Sequence, residues 1–529
     1  MLPSDETAWL IVRSDSDYNE ACDAFVAEID AAVDAEYAVV ECHPGGIMPR
    51  QAPLNILWIQ TDEQRTDSLG CYGSARVRTP NLDRLAHRGT TFLEHHTQSP
   101  VCVPSRVCEL TSRYPHQTGI LDNSVHYTWG QWPALAGIPA ITFPELFAAA
   151  GYATVNMGKY HTPHHPTWLE NWHFEWFPRE AGHVFLAEGF DEDEHEVIHI
   201  GNERGRVILS GRYPNAAGGQ TPQRTPQTYL TDHALDWLGM YGHVRRPFLM
   251  RVSYLAPHTP VLAPEPFYGM YDPADMAWDE PDESVLASRP RLEIPASGPA
   301  RYRAHTPEEF RRMRCTYYGL VSHIDQQVGR LMGALEVQGL LDNTLVVYTS
   351  DHGDLMGEYG QFGKGMFYDI TTRVPCMMAG PGIREDRQVL DLTECVDLGP
   401  TLLGMAGINV PETMVGRDML NGTPRQDVIG EICRQRDGVS HRRSWIRTKR
   451  WSMDTTSELN GEPTTAGDRD GKLIDLEADP LAHVNLYNDP AYAGVIAELQ
   501  ARLAERTSDE RQPIQHGGPP VFDGGRISG

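Results

Sequence analysis

Basic residues are scarce in this chain: 45 Lys and Arg stand against 72 Asp and Glu over 529 residues, a formal net charge of −27. Phosphate backbones and anionic lipid surfaces are held by clustered positive charge, so the deficit argues against sequence-independent nucleic-acid binding and against anionic membrane surfaces. Long apolar runs are also missing. The strongest, such as Ile56 to Ile59, are strand-sized, far short of the roughly 20 residues that cross a bilayer. The nine cysteines are an odd number scattered along the chain, without the paired spacing of a zinc site or a disulfide framework. Reduced thiols and a cytoplasmic location are predicted. Met1 to Tyr18 carries Asp5, Glu6, Asp15 and Asp17 where a secretory signal would be basic and then apolar, so no export is expected. Internal repeats and low-complexity tracts are absent.

What is present is length enough for one large domain and a smaller one. Residues 1–50 read apart from the rest, with Trp9 to Val12 and Tyr37 to Glu41 as short strands, Glu20 to Ala35 as an acidic amphipathic helix, and Gly45, Gly46 and Pro49 as a linker. This extension shows no chemistry and is expected to pack on the main domain or on another subunit of a homo-oligomer. From Leu54 onward apolar strands alternate with helices, the pattern of an α/β domain whose mostly parallel sheet is buried on both faces. Strands are predicted at Leu54 to Gln60, Thr154 to Met157, Phe248 to Tyr254 and Thr344 to Tyr348, and helices at Thr79 to Arg88, Pro144 to Ala150 and Glu308 to Gln338. A Pro-rich acidic stretch runs from Ala263 to Pro299. Composition changes after about Gly416, so the main domain is assigned to residues 51–416 and a C-terminal subdomain to 417–510. In the latter, Ser444 to Ser452 and Lys472 to Asp475 are predicted antiparallel strands and Ala491 to Glu505 a closing helix. Residues 511–529 read as a loosely packed tail.

Ligands of open α/β sheets collect beyond the carboxyl ends of the strands, and four predicted strands end in polar residues. They run into Asp62 and Glu63, into Lys159 and His161, into His258, and into Asp351 and His352. Singly, each has an ordinary explanation: an aspartate caps a helix or shapes a turn, and a lysine lies on a solvated face. Together, Asp62 and Asp351 with His352 supply a hard divalent-cation site that suits calcium or manganese. Lys159 and Lys364 are suited to holding a tetrahedral oxyanion, and His161 and His258 to moving protons near neutral pH. The set is a recipe for cleaving an anionic ester. Cys102-Val103-Pro104-Ser105-Arg106 adds a cysteine at the predicted start of a helix running to Arg113, where free amides favour negative charge. The plain alternative is a buried structural cysteine.

Several ordered blocks carry a family resemblance. They are Asn55 to Gly73 with Thr61-Asp62-Glu63-Gln64-Arg65, the Cys102 to Arg106 string followed by Leu110-Thr111-Ser112-Arg113, and Gly151-Tyr152 through Gly158-Lys159-Tyr160-His161. Pro257-His258-Thr259-Pro260, Ser350-Asp351-His352-Gly353 and Gly363-Lys364-Gly365 follow, and the C-terminal Ile446 to Trp451, Leu473 to Leu476, Asp479-Pro480 and Asn485-Leu486 complete the set. Over roughly Leu54 to Glu505 the chain resembles the type I sulfatases of the alkaline phosphatase superfamily. The resemblance implies an alkaline-phosphatase-like mixed, mostly parallel sheet flanked by helices, with a small C-terminal antiparallel-sheet subdomain.

It further implies that Cys102 is oxidised by a formylglycine-generating maturation enzyme. One hydroxyl of the aldehyde hydrate, bound to the metal beside Arg106, would attack sulfur, and the second, deprotonated with help from His161, would expel sulfate. Lys159 and Arg106 would clamp the charged group and the nucleophile, while His258 and Lys364 protonate or stabilise the departing oxygen. Implied metal ligands are Asp62, Glu63, Asp351, His352 and the modified Cys102, with calcium the expected ion and manganese the alternative. Two positions depart from the common pattern: Glu63 stands where many sulfatases have Asp, and His352 where Asn is frequent. His352 is shared with the phosphonate monoester hydrolases, which makes a phosphonate monoester or phosphodiester hydrolase the alternative to a sulfuric ester hydrolase acting on a small-molecule or sugar-linked sulfate. A non-catalytic binding protein retaining the fold is the reading from another class. Asn123, His126, Trp129, His164 and His165 are candidates to line the leaving-group pocket, or are ordinary polar loop residues.

Overall fold

In a computed structural model the protein is described over residues 53–123, 142–162, 225–241, 246–276, 282–293, 305–436, 439–458 and 470–508, with short strands at 174–176, 198–202, 205–212, 522–523 and 526–527. The expected elements of residues 1–50 lie outside the described residues, as do His126, Trp129, His164 and His165. Of the tail, a two-residue pairing of Phe522–Asp523 with Arg526–Ile527 is described.

The central sheet is built on β1 (Asn55–Asp62), every residue of which is buried. Its side chains alternate with the two-residue period of a strand, Ile56 and Trp58 entering one apolar cluster and Leu57 and Ile59 the other. Both faces are therefore covered, which is why the strand reads as a nearly continuous apolar run. The other strands are β2 (Gly89–Phe92), β3 (Ala153–Gly158), β4 (Phe174–Trp176), β5 (Phe248–Pro257), β6 (Thr344–Ser350), β7 (Cys376–Ala379) and β8 (Arg387–Val389), in the order β8-β2-β7-β6-β1-β5-β3-β4. All pairings are parallel except the two made by β7. The expected mixed, mostly parallel sheet is present.

Helices α1 (Pro80–His87), α2 (Cys102–Thr111), α3 (Phe143–Ala149), α4 (Pro226–Tyr241), α5 (Pro307–Val337) and α6 (Leu398–Met405) flank the sheet. Residues of α1, α4 and α5 pack with Leu57 and Ile59; residues of α2, α3 and α6 pack with Ile56 and Trp58. Thr306 caps α5, its hydroxyl accepting the Glu309 amide while Glu309 returns a bond to the Thr306 amide, so the helix begins within a residue of its predicted start. None of the described helices is long and apolar enough to cross a membrane.

The C-terminal sheet has four antiparallel strands in sequence order, β9 (Asp427–Arg436), β10 (Val439–Thr448), β11 (Trp451–Glu458) and β12 (Gly471–Asp475), closed by α7 (Ala493–Thr507). The single strand expected over Ser444 to Ser452 is corrected: the chain reverses at exposed Lys449 and Arg450, where Thr448 Oγ1 accepts the amides of Arg450 and Trp451. The edge strand β9 docks on the larger domain through its outward amides. Ile429 N donates to Glu394 Oε1, Glu431 N to Gln98 O and Cys433 N to Leu121 O. An otherwise open sheet edge is thereby satisfied.

Candidate active site

The carboxyl ends of β1, β3, β5 and β6 converge on the amino end of α2. Cys102 is the first residue of that helix, and Pro104 falls within the first turn, where no amide needs an intrahelical partner. Asn123 Oδ1 accepts the Val103 amide at 2.9 Å, so this residue braces the helix start. The helix ends at Thr111, earlier than the expected Arg113, because Ser112 turns left-handed with φ 52°.

The Cys102 sulfur is fully enclosed by polar groups. Lys364 Nζ lies 2.7 Å from it, His352 Nε2 3.3 Å, and Asp62 Oδ1 and Lys159 Nζ 3.7 Å each; His161 also hydrogen-bonds to it. Burial and Asp62 push the thiol pKa up, but Lys159, Lys364 and His352 outweigh them and hold it well below the ordinary value. Burial likewise opposes charge on Asp62, and Lys159, His258, Lys364 and Arg106 overcome it. Burial lowers the His161 pKa, against the raising effect of Cys102 and Asp62.

Arg106 is the organiser of the carboxylates. Its Nη2 donates to Asp62 Oδ2 and its Nε to Asp351 Oδ2, both at 2.8 Å, while Nη1 reaches Gln60 Oε1, Ser253 Oγ and the Lys159 carbonyl. With its donors so directed, Arg106 orients the metal-ligand candidates Asp62 and Asp351. Ser105 Oγ ties α2 to the Asp351 carbonyl at 2.6 Å. Glu63 sits in a left-handed turn, φ 62°, fixed by Tyr317, whose hydroxyl donates to its carbonyl at 2.6 Å. Its carboxylate meets Lys364 Nζ at 2.6 Å and His258 Nε2 at 3.4 Å. His258 Nδ1 donates to the Thr259 carbonyl; its side chain is 24% exposed and that of Lys364 18%, and together they mark the open side of the cluster.

The donor set fits a divalent cation. One ligand atom each of Asp62, Cys102, Asp351 and His352 lies within 4.8 Å of the others, and Asp62, Glu63 and His258 form a second such group. His352 Nδ1 donates to the Gly353 carbonyl at 2.8 Å, so Nε2, 3.3 Å from the Cys102 sulfur, is the ring atom that faces the cluster. Burial opposes charge on this ring, but Asp351 beside it raises its pKa to about 9, so a bound cation would take the place of the Nε2 proton. An oxygen in place of the Cys102 sulfur would complete a set of hard donors plus one imidazole.

Residues not singled out from the sequence support this ring from behind. Gln60 Oε1 accepts from both Arg106 and Arg251, and Gln60 Nε2 donates to Glu109, whose pKa burial pushes up to about 7. A signal existed: Gln60 and Arg251 are polar residues inside otherwise apolar strands.

The sulfatase family model matches residues 54–408. Iduronate 2-sulfatase of Mus musculus is 31% identical over 396 residues, covering 68% of this chain and 69% of the relative. Arylsulfatase of Clostridium perfringens is 27% identical over 492 residues, covering 88% and 96%. Among solved structures, a phosphonate monoester hydrolase of Agrobacterium radiobacter superposes with a TM-score of 0.68 at 26% identity, covering 86% of this chain and 96% of that one. With the family match spanning the whole α/β sheet and the buried ring about Cys102, this chain belongs to the sulfatase family of sulfuric ester hydrolases.

Proposed function

We propose that the chain cleaves a sulfate monoester at Cys102 after a maturation enzyme has converted that residue to formylglycine, with a divalent cation held by Asp62, Glu63, Asp351 and His352. The observation that carries this reading is the Cys102 sulfur at a helix amino terminus, ringed by Asp62, Lys159, His352 and Lys364. When present, the formylglycine hydrate supplies an oxygen nucleophile and the cation neutralises charge on the sulfuryl oxygens. Lys159 holds the anionic group. Half-buried His161, its pKa lowered, takes up a proton at the Cys102 position, and His258, at the open side, passes one to the departing alcohol oxygen with Lys364 beside it. A cytoplasmic location belongs to the same proposal, on the odd count of nine cysteines.

Mass spectrometry of the Cys102 peptide from active protein is expected to find the aldehyde; an unmodified thiol in a fully active preparation would reject the reading. Calcium is the proposed ion, and the inward Nε2 of His352 is what supports manganese instead. Asp351→Asn should lower retained metal after dialysis by about tenfold or more, since outer partners and ligands each carry factors of that order. Elemental analysis decides both points, and unchanged metal content in the variant would remove Asp351 from the ligand set.

A phosphonate monoester or phosphodiester substrate is the second reading, supported by His352 and by the Agrobacterium neighbour. On metal-loaded protein, kcat/KM for an aryl sulfate is expected to exceed that for a phenyl phosphonate ester by at least about tenfold, or roughly 1.4 kcal/mol of transition-state preference. The opposite ranking would exchange the two readings.

A further inference from the structure

We infer that Arg434, on the edge strand β9 of the C-terminal sheet, is the positioning residue that fixes Lys364 beside Cys102. The inference rests on the leaving-group role given to Lys364 above. Lys364 lies between Gly363 and Gly365, both at positive φ, 82° and 90°. The loop is anchored on its amino side by the two-residue pairing of Leu355–Met356 with Phe362–Gly363. A lysine flanked by glycines loses much conformational entropy on being fixed, so a defined Nζ position needs an external hold on the backbone.

Arg434 supplies that hold. Its Nη2 donates to the carbonyls of Gly365 at 2.6 Å and Lys364 at 3.1 Å, and its Nε to Gly365 at 3.2 Å. The packing is close enough that a Cβ built on Gly365 would stand 1.8 Å from Arg434 Nη2. A side chain here would therefore displace the guanidinium, and the backbone conformation separately favours glycine. A planar fork that grips two successive carbonyls is not reproduced by the point charge of a lysine.

The preceding residue braces the opposite wall. Cys433 N donates to Leu121 O at 2.8 Å and its thiol hydrogen-bonds to Asp122, next to the Asn123 that accepts the Val103 amide in the first turn of α2. Consecutive strand residues point to opposite faces. Cys433 and Arg434 thus tie the segment that carries Cys102 and the segment that carries Lys364 to one strand, across the 2.7 Å contact between the sulfur and Nζ.

The test compares Arg434→Met, Lys364→Ala and the double variant on a nitrophenyl sulfate and an alkyl sulfate, using metal-loaded, formylglycine-containing protein whose folding is checked by thermal unfolding. A group acting on the leaving oxygen matters most when that oxygen is a poor leaving group. Arg434→Met is expected to lower kcat for the alkyl ester by about 10²-fold, with KM within about twofold and the nitrophenyl ester nearly unaffected. The double variant should be no slower than Lys364→Ala, because the two changes remove one function. Gly365→Ala, which expels the guanidinium while Arg434 remains, gives a second route to the same selective loss. Equal losses on both esters, multiplying losses in the double variant, or full alkyl activity in folded Gly365→Ala would each overturn the inference. If Lys364→Ala alone leaves both rates unchanged, the role of Lys364 falls and the inference with it. A selective loss in Lys364→Ala that Arg434→Met does not reproduce sinks the clamp alone.

Discussion

Cys102→Ala is expected to lower ester hydrolysis by about 10⁴-fold or more while the protein still folds, because loss of a nucleophile-bearing residue leaves only binding and electrostatic stabilisation to act. Folding should survive since the remaining partners stay paired. Lys364 keeps Glu63 at 2.6 Å, Lys159 keeps Asp62 at 2.5 Å, and Arg106 keeps both carboxylates. Metal retention should also survive, as Asp62, Glu63, Asp351 and His352 are untouched, which separates this variant from Asp351→Asn. Steady-state rates on several esters, alongside unfolding and elemental analysis, make the check. A variant as fast as its parent on every ester tested would end the assignment of Cys102.

Glu293→Ala is expected to destabilise the protein by about 3–5 kcal/mol, the cost of leaving buried charge without its partner. Glu293 is buried between the larger domain and the C-terminal sheet, accepting from Lys472 at 2.8 Å, Arg443 at 3.1 Å and the Tyr368 hydroxyl at 2.8 Å. Burial opposes its ionisation, but Lys472 and Arg443 win and hold its pKa down to about 2. Without it, Asp454 is the carboxylate left in contact with both the Arg443 and Lys472 cations, with Asp470 adding to the field at Arg443. Glu293→Gln, which preserves shape and one acceptor, should lose less. The pH dependence has a definite sign: a depressed carboxyl pKa contributes stability that is present above its unfolded value of 4.5 and is lost as pH falls toward about 2. Urea midpoints at neutral and acidic pH measure both effects, and a midpoint for Glu293→Ala equal to that of the parent would show that the pairing contributes nothing.

Local pattern reached the polar residues that follow strands and little beyond them. Asp62, Lys159, His161, His258, Asp351 and His352 were legible because each follows a short apolar run, and such runs announce their ends within a few residues. The Pro-rich stretch from Ala263 to Pro299 carried no periodicity, yet Glu293 within it links Arg443 and Lys472 of the C-terminal sheet to Tyr368 of the larger domain. The reversal at Lys449 and Arg450 was hidden because strand-like residues lie on both sides of it.

The chain alone therefore determined the strand frame, the residues at the strand ends and the cysteine at the start of α2, since hydrophobic period and helix-start chemistry act over neighbouring residues. Tertiary structure decided the work of Arg106, committed to Asp62 and Asp351, and the pairing of Arg434 with Gly365, 69 positions away. Those choices depend on which donors remain unsatisfied once distant segments pack together, and a buried hydrogen bond between such segments leaves no periodic trace in the order of residues.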